Sequence, residues 1–197
     1  MVEKTIAAVL LEPRKIELRE FALPEVDADS GIAKVEITGV CGADWPIYTG
    51  ALAAYAKTPL IPGHEIVARI TKLGARAAKR WNVKEGDRIV MEEYAPCGRC
   101  EYCLSGRYYI CNGMKMEKMY GFTSLNVAPG LWGGYSEYVY LDPQALIQPV
   151  KKAKKAAAKK VKKPARKPAK KAKKAPAKKP KKAAKAKKTA KKKARRR

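Results

Sequence analysis

Apolar and polar positions along the chain alternate over short stretches. Thr5–Glu12, Lys15–Phe21, Lys34–Val40, Ile66–Leu73 and Arg88–Glu92 each hold β-branched or apolar residues, and Gly, Pro or Asp bounds most of them. That pattern predicts strands. Gly86-Asp87 is a turn signal before the last of them, and Gly133-Gly134 precedes a further strand at Tyr135–Leu141. Asp142-Pro143 has the form of a helix N-cap followed by proline at the first helical position. No long stretch carries the 3.6-residue apolar period of an amphipathic helix. The expected fold class is mainly β with short helices, a partly open barrel.

At Lys151 the pattern stops. From there to Arg197 the chain is almost wholly Lys, Ala, Pro and Arg, with Val161 its only bulky apolar residue. Such a segment cannot bury enough surface to offset a backbone ordering cost of about 1–2 kcal/mol per residue, so it is expected to be disordered in isolation. The expected domains are therefore 1–150, globular, and 151–197, a polybasic tail.

Charge sharpens this division. The 197 residues carry a net charge of +26. Residues 1–150 hold 17 Lys/Arg against 18 Asp/Glu, while residues 151–197 hold 27 Lys/Arg and no acid. A near-neutral domain is thus joined to a polycation. The start, MVEKTIAAVLLEP, is broken by Glu12 and Pro13 and does not form a secretory signal. No apolar run reaches the ~20 residues that cross a bilayer. The expectation is an intracellular protein with no membrane span.

Four of the five cysteines, Cys97, Cys100, Cys103 and Cys111, fall in CGRCEYCLSGRYYIC, spaced C-x2-C-x2-C-x7-C. Structural zinc takes four thiolates in a tetrahedron, and x2 steps let one loop supply three of them. Gly98 and Gly106 allow the tight turns this needs. An iron–sulfur cluster is the rival metal, and plain reduced thiols are the bland alternative. Cys41, in GVCGAD, and His64, the sole histidine, in PGHEIVARITKLG, carry little weight singly.

The succession GVCGAD, GHE, the four-cysteine lobe and a Gly-rich approach to YSEY resembles zinc-dependent medium-chain alcohol dehydrogenases across nearly all of 1–150. The resemblance implies a GroES-like fold with a zinc lobe at 96–112. It implies that Cys41 and His64 are ligands of a catalytic-type zinc and that Glu65 can ligate or sit just behind the metal. It makes Asp44 an acid that steadies the site by hydrogen bonding, and Cys97, Cys100, Cys103 and Cys111 the structural-zinc ligands. Ala43 departs from the pattern, because alcohol-oxidising members usually carry Ser or Thr there to relay a proton. Ala68 stands where Gly is usual. The family's third catalytic-zinc ligand normally follows just where the chain turns into Lys151 onward, so the catalytic-type set is incomplete. No G-x-G-x-x-G and no remaining βαβ pattern offers NAD(P) a place, so the cofactor would have to come with a domain on a partner chain. The domain is expected to be inactive alone. Apolar surface that intact relatives bury would be exposed and would favour self-association.

The tail resembles the C-terminal tails of linker histones and of bacterial histone-like proteins. Physics alone points it at DNA or RNA phosphates. The groups that would meet them are Lys151, Lys152, Lys154, Lys155, Lys159, Lys160, Lys162 and Lys163. Beyond Pro164 come Arg166, Lys167, Lys170, Lys171, Lys173, Lys174, Lys178, Lys179, Lys181 and Lys182, and finally Arg195, Arg196 and Arg197. With no aromatic, Asn or Gln in the tail, sequence-specific reading is not expected. Anionic lipid is the alternative surface, without a lipidation motif to support it. Three functions follow. One is a zinc-stabilised module carried on DNA, with a nucleoid or nuclear location. One is an oxidoreductase fragment that works with a cofactor domain on another chain. The third is an artificial fusion or truncated relic, suggested by the abrupt join.

Overall fold

The computed structural model describes residues 3–113 and 118–150. The tail residues singled out above therefore lie outside the described residues, as does the expectation of disorder there.

The chain opens with an antiparallel hairpin of β1 (Lys4–Glu12) and β2 (Lys15–Ala22), joined across Pro13-Arg14. A five-stranded sheet follows. Its strands are β3 (Gly31–Thr38), β4 (Ile66–Leu73), β5 (Arg88–Met91), β6 (Tyr138–Leu141) and β7 (Ile147–Pro149), in the order β6-β3-β4-β5-β7 and antiparallel throughout. Strict alternation of buried and open positions in β5 and β6 marks one face against the core. That core gathers Ile66, Ala68, Ile70, Ile89, Val139 and Leu141 with Tyr120 and Trp132. The hairpin joins it through Ala8 N–H to Tyr135 O (2.8 Å) and through Leu10 and Leu60, which exchange backbone bonds.

Short helices fill the connections: α1 (Asp44–Thr49), α2 (Ala75–Trp81) and α3 (Glu101–Leu104), with a 3-10 turn at Tyr108–Ile110. Helix α2 turns Ala77 and Trp81 inward, and the Trp81 indole N–H donates to Ala145 O at 3.0 Å. The fold is mainly β with short helices, as the pattern of the sequence indicated, and GroES-like, as the family resemblance implied.

Three expectations need correction. The stretch after Asp142-Pro143 is a turn, not a helix. The Asp142 carboxylate accepts from Gln144 N–H at 2.8 Å, and Ala145 N–H closes on Asp142 O at 2.8 Å. Asp142 does cap, but the chain must return at once so that β7 can pair with β5. The strand expected at Lys34–Val40 runs Gly31–Thr38 instead, because after Thr38 the backbone leaves the ladder to deliver Cys41. The strand expected from Tyr135 begins at Tyr138, since residues 135 and 137 bond to the hairpin and to Val35 rather than to a regular ladder. Among the described residues, no helix is long and apolar enough to cross a membrane.

Candidate metal centre

Two groups of side chains have the chemistry and spacing of metal sites among the described residues. The first is the four-cysteine lobe. Gly98 (φ +70°) and Gly106 (φ +78°) take left-handed conformations that turn the loop back on itself. Cys100 sits at the N-cap of α3, Cys103 lies within that helix, and the 3-10 turn delivers Cys111. Gly113 lets the returning chain pass, since a Cβ there would lie 2.7 Å from Cys97 Cβ.

The sulfur atoms lie 3.5 Å (Cys100–Cys103), 3.8 Å (Cys100–Cys111) and 3.9 Å (Cys97–Cys103) apart, and all five cysteines of the chain are free. A tetrahedron with Zn–S bonds of about 2.3 Å has edges of about 3.8 Å, whereas a disulfide needs about 2.05 Å. The spacing therefore fits four thiolates around one ion. Backbone N–H groups of Cys103 and Asn112 pull the Cys100 thiol down to about 6 against the cost of burial. N–H groups of Arg99 and Cys100 lower Cys97 as well. Burial and the neighbouring sulfurs push Cys103 up to about 12. These opposed shifts set Cys103 against Cys97 and Cys100, and a divalent ion, which favours thiolate at every ligand, would remove that conflict.

The second group is Cys41, Asp44 and His64, whose donor atoms lie within 4.8 Å of one another. Its geometry follows from sheet register. Thr38 of β3 pairs with Ile66 of β4, so the chain beyond one strand faces the chain before the other. Gly39 N–H donates to Glu65 O at 2.9 Å, and Cys41 then meets His64, Sγ to Nε2, at 3.2 Å. Tetrahedral zinc with about 2.3 Å to sulfur and about 2.05 Å to nitrogen would set that edge near ~3.6 Å. Asp44 accepts the Cys41 N–H on Oδ2 at 2.7 Å. Its other oxygen, Oδ1, and His64 Nδ1 are both buried without a partner. Orphaned buried polar atoms are uncommon, and the open Asp44 Oδ1 fits a site that a cation completes, whereas an ion on His64 Nε2 would leave Nδ1 to a hydrogen-bond partner.

Glu65 stands apart from these three donors. Its carboxylate turns over Gly39, where a Cβ would meet Oε2 at 2.0 Å, and faces an open cavity of about 360 Å³ shared with His64, Met91, Glu92 and Glu93. Ala43 offers only its backbone N–H, 3.3 Å from Cys41 Sγ. The sequence did not single out Tyr135. Its ring packs on Gly63, beside His64, and burial, reinforced by Asp44, pushes its phenol up to about 12. The loop bearing His64 is held by glycines: a Cβ on Gly133 would lie 1.9 Å from Ile61 O, and one on Gly121 3.0 Å from the Gly63 backbone. Ile37, Val40 and Trp45, all more than 60% exposed, leave apolar surface beside Cys41.

Comparison with known proteins bears on the family and the fold. The family model described as the alcohol dehydrogenase GroES-like domain matches residues 27–152. A probable alcohol dehydrogenase of Mycobacterium tuberculosis is 41% identical over 141 residues, covering 72% of this chain and 38% of that relative. Among solved structures, an alcohol dehydrogenase of Thermotoga maritima superposes with a TM-score of 0.64 at 27% identity, covering 76% of this chain and 41% of the other. A thermostable alcohol dehydrogenase of Pyrobaculum aerophilum, solved with cobalt and zinc bound, gives 0.58 at 25% identity, covering 71% and 39%. The chain thus spans about two-fifths of the length of the proteins it matches.

Proposed function

Because the chain belongs to the alcohol dehydrogenase GroES-like domain family, we propose that it is a zinc-binding module of that family, attached by its basic tail to nucleic acid, and that it does not oxidise alcohols by itself. The observation that carries the zinc assignment is the set of sulfur spacings at Cys97, Cys100, Cys103 and Cys111, which match a tetrahedral edge. Zinc held there would contribute folding energy rather than chemistry.

The catalytic-type group supports a weaker metal site. Zinc bound at Cys41, His64 and Asp44 would act as a Lewis acid on an alcohol or water oxygen. Around it, Asp44 fixes the Cys41 loop through the backbone N–H of Cys41, and Tyr135 shields the histidine loop. Ala43 has no hydroxyl to carry a proton away, and the 197 residues contain no G-x-G-x-x-G loop for a dinucleotide. The tail reading rests on 27 cationic side chains in 47 residues without one acid, which suits the phosphate backbone of any duplex. A nucleoid or nuclear location would follow from it.

A second reading keeps the enzyme. The Cys41–His64 spacing and the orphaned Asp44 Oδ1 favour a real metal site, which a chain carrying an NAD(P)-binding domain would turn into an oxidoreductase. NAD(P)-linked alcohol turnover, measured on the full chain with and without added zinc, separates the two. The proposal expects none above background; turnover at the rate of a complete dehydrogenase would reverse it.

A further inference from the structure

The outer edge of β2 is the longest unpaired run of backbone in the hairpin. Its hydrogen-bonding direction is fixed by β1. The N–H groups of Ile6, Ala8 and Leu10 point away from β2, to the Glu137 carboxylate, Tyr135 O and Leu60 O. Thr5, Ala7 and Val9 therefore face β2, opposite Phe21, Arg19 and Glu17. The backbone groups of Ile16, Leu18 and Glu20 then point outward, and no described residue takes them up. Leu18 is 75% exposed and Ile16 46%. An edge that combines free backbone groups with exposed apolar side chains is a template for another strand.

The side chains choose the partner. We propose that two copies of this chain pair β2 to β2, antiparallel about a two-fold axis at Leu18, to form a four-stranded sheet across the dimer. In that register Leu18 faces Leu18, Ile16 faces Glu20, and Glu17 faces the second copy's Arg19. The outward backbone groups of Ile16, Leu18 and Glu20 meet one another in three pairs, each able to exchange two bonds. The neighbouring registers of the same backbone parity fail on charge. Centring on residue 17 sets Glu17 against Glu17 and Lys15 against Arg19, whereas centring on residue 19 sets Arg19 against Arg19. Like charges directly across a ladder are destabilising. Edge charges commonly deter pairing; here they oppose the two adjacent registers and favour the one centred on Leu18. Ile6, 44% exposed, lies on the same face as Leu18 and extends the apolar strip across the axis.

This dimer is distinct from association through the apolar surface around Cys41, and charge variants tell them apart. Sedimentation of the full chain would be followed in about 0.15 M salt, where the Debye length of about 8 Å screens the tails from one another. The expected result is a dimer at about 0.1 mM chain. Arg19→Glu should weaken it about tenfold, by setting acid against acid twice. The double variant Glu17→Arg/Arg19→Glu, which restores opposite charges across the axis, should return the affinity to within about twofold. Hydrogen exchange provides the second reading: amides of Ile16, Leu18 and Glu20 should slow as concentration rises, while those of Glu17 and Arg19, already bonded to β1, should not. A monomer at 0.1 mM overturns the proposal, as does a dimer indifferent to both variants or one that leaves those three amides fast.

Discussion

At the scale of single residues, glycines set the shape of the candidate site. Gly133 stands in a Gly-Gly pair ahead of a strand in the sequence, and its φ is not what requires glycine. The backbone of the histidine loop crosses so closely that a Cβ would meet Ile61 O at 1.9 Å. Backbone cannot swing aside as a side chain does, so Gly133→Ala is expected to cost about 1–3 kcal/mol, read as a lowered denaturant midpoint. An unchanged midpoint would show that the crossing is looser than it stands. The sequence pointed to Cys41 and His64 as ligands, to Glu65 as a further one and to Asp44 as a hydrogen-bonding acid, because the family motifs quote them in order; the donor group that the structure draws together holds Asp44 and not Glu65. The contact of Cys41, Asp44 and His64 was not legible, because it depends on the pairing of Thr38 with Ile66, a long-range register that local pattern does not encode. Tyr135 escaped notice for the same reason: nothing in GGYSEY says that the ring lies on Gly63.

Among elements, the strands were legible where alternation was clean. Ile66–Leu73 emerges with its expected bounds, and β5 ends one residue early at Met91. The three-residue β7 was not, since Ile147–Pro149 is too short to show a period and becomes a strand only by pairing with β5. Helix α2 was equally silent; its seven residues are anchored from outside. Asp29, in the loop before β3, is paired with both Arg76 and Arg80 of α2. Arg80 also donates to Pro143 O at 2.9 Å, tying the helix to the β6–β7 turn. The Arg76 guanidinium, with Arg80, holds the Asp29 carboxyl down to about 2, from 3.8. A carboxyl depressed on folding stabilises the fold fully above its unfolded value, and that contribution is lost as pH falls from about 4 toward 2. Asp29→Asn should therefore lower the melting temperature at neutral pH. Wild type and variant should converge as pH falls toward 2; a constant gap down to that pH would refute the linkage.

The whole molecule couples a domain of nearly balanced charge to a tail that holds essentially all of the excess. If that tail engages phosphates as proposed, duplex affinity should fall steeply with salt, by about 10³–10⁵ between 50 and 200 mM for 6–10 contacts, and equally for unrelated sequences. Fluorescence anisotropy over a salt series measures this, and a flat dependence or a preferred sequence would count against it. The central claim, however, is that the four-cysteine lobe makes this a zinc protein. Native mass spectrometry of the full chain, alongside Cys103→Ser and Cys41→Ser, tests it most directly. The account predicts a tightly held zinc that survives Cys41→Ser and disappears with Cys103→Ser. A metal-free chain, iron and sulfide in place of zinc, or a zinc lost with Cys41→Ser and kept in Cys103→Ser would contradict it.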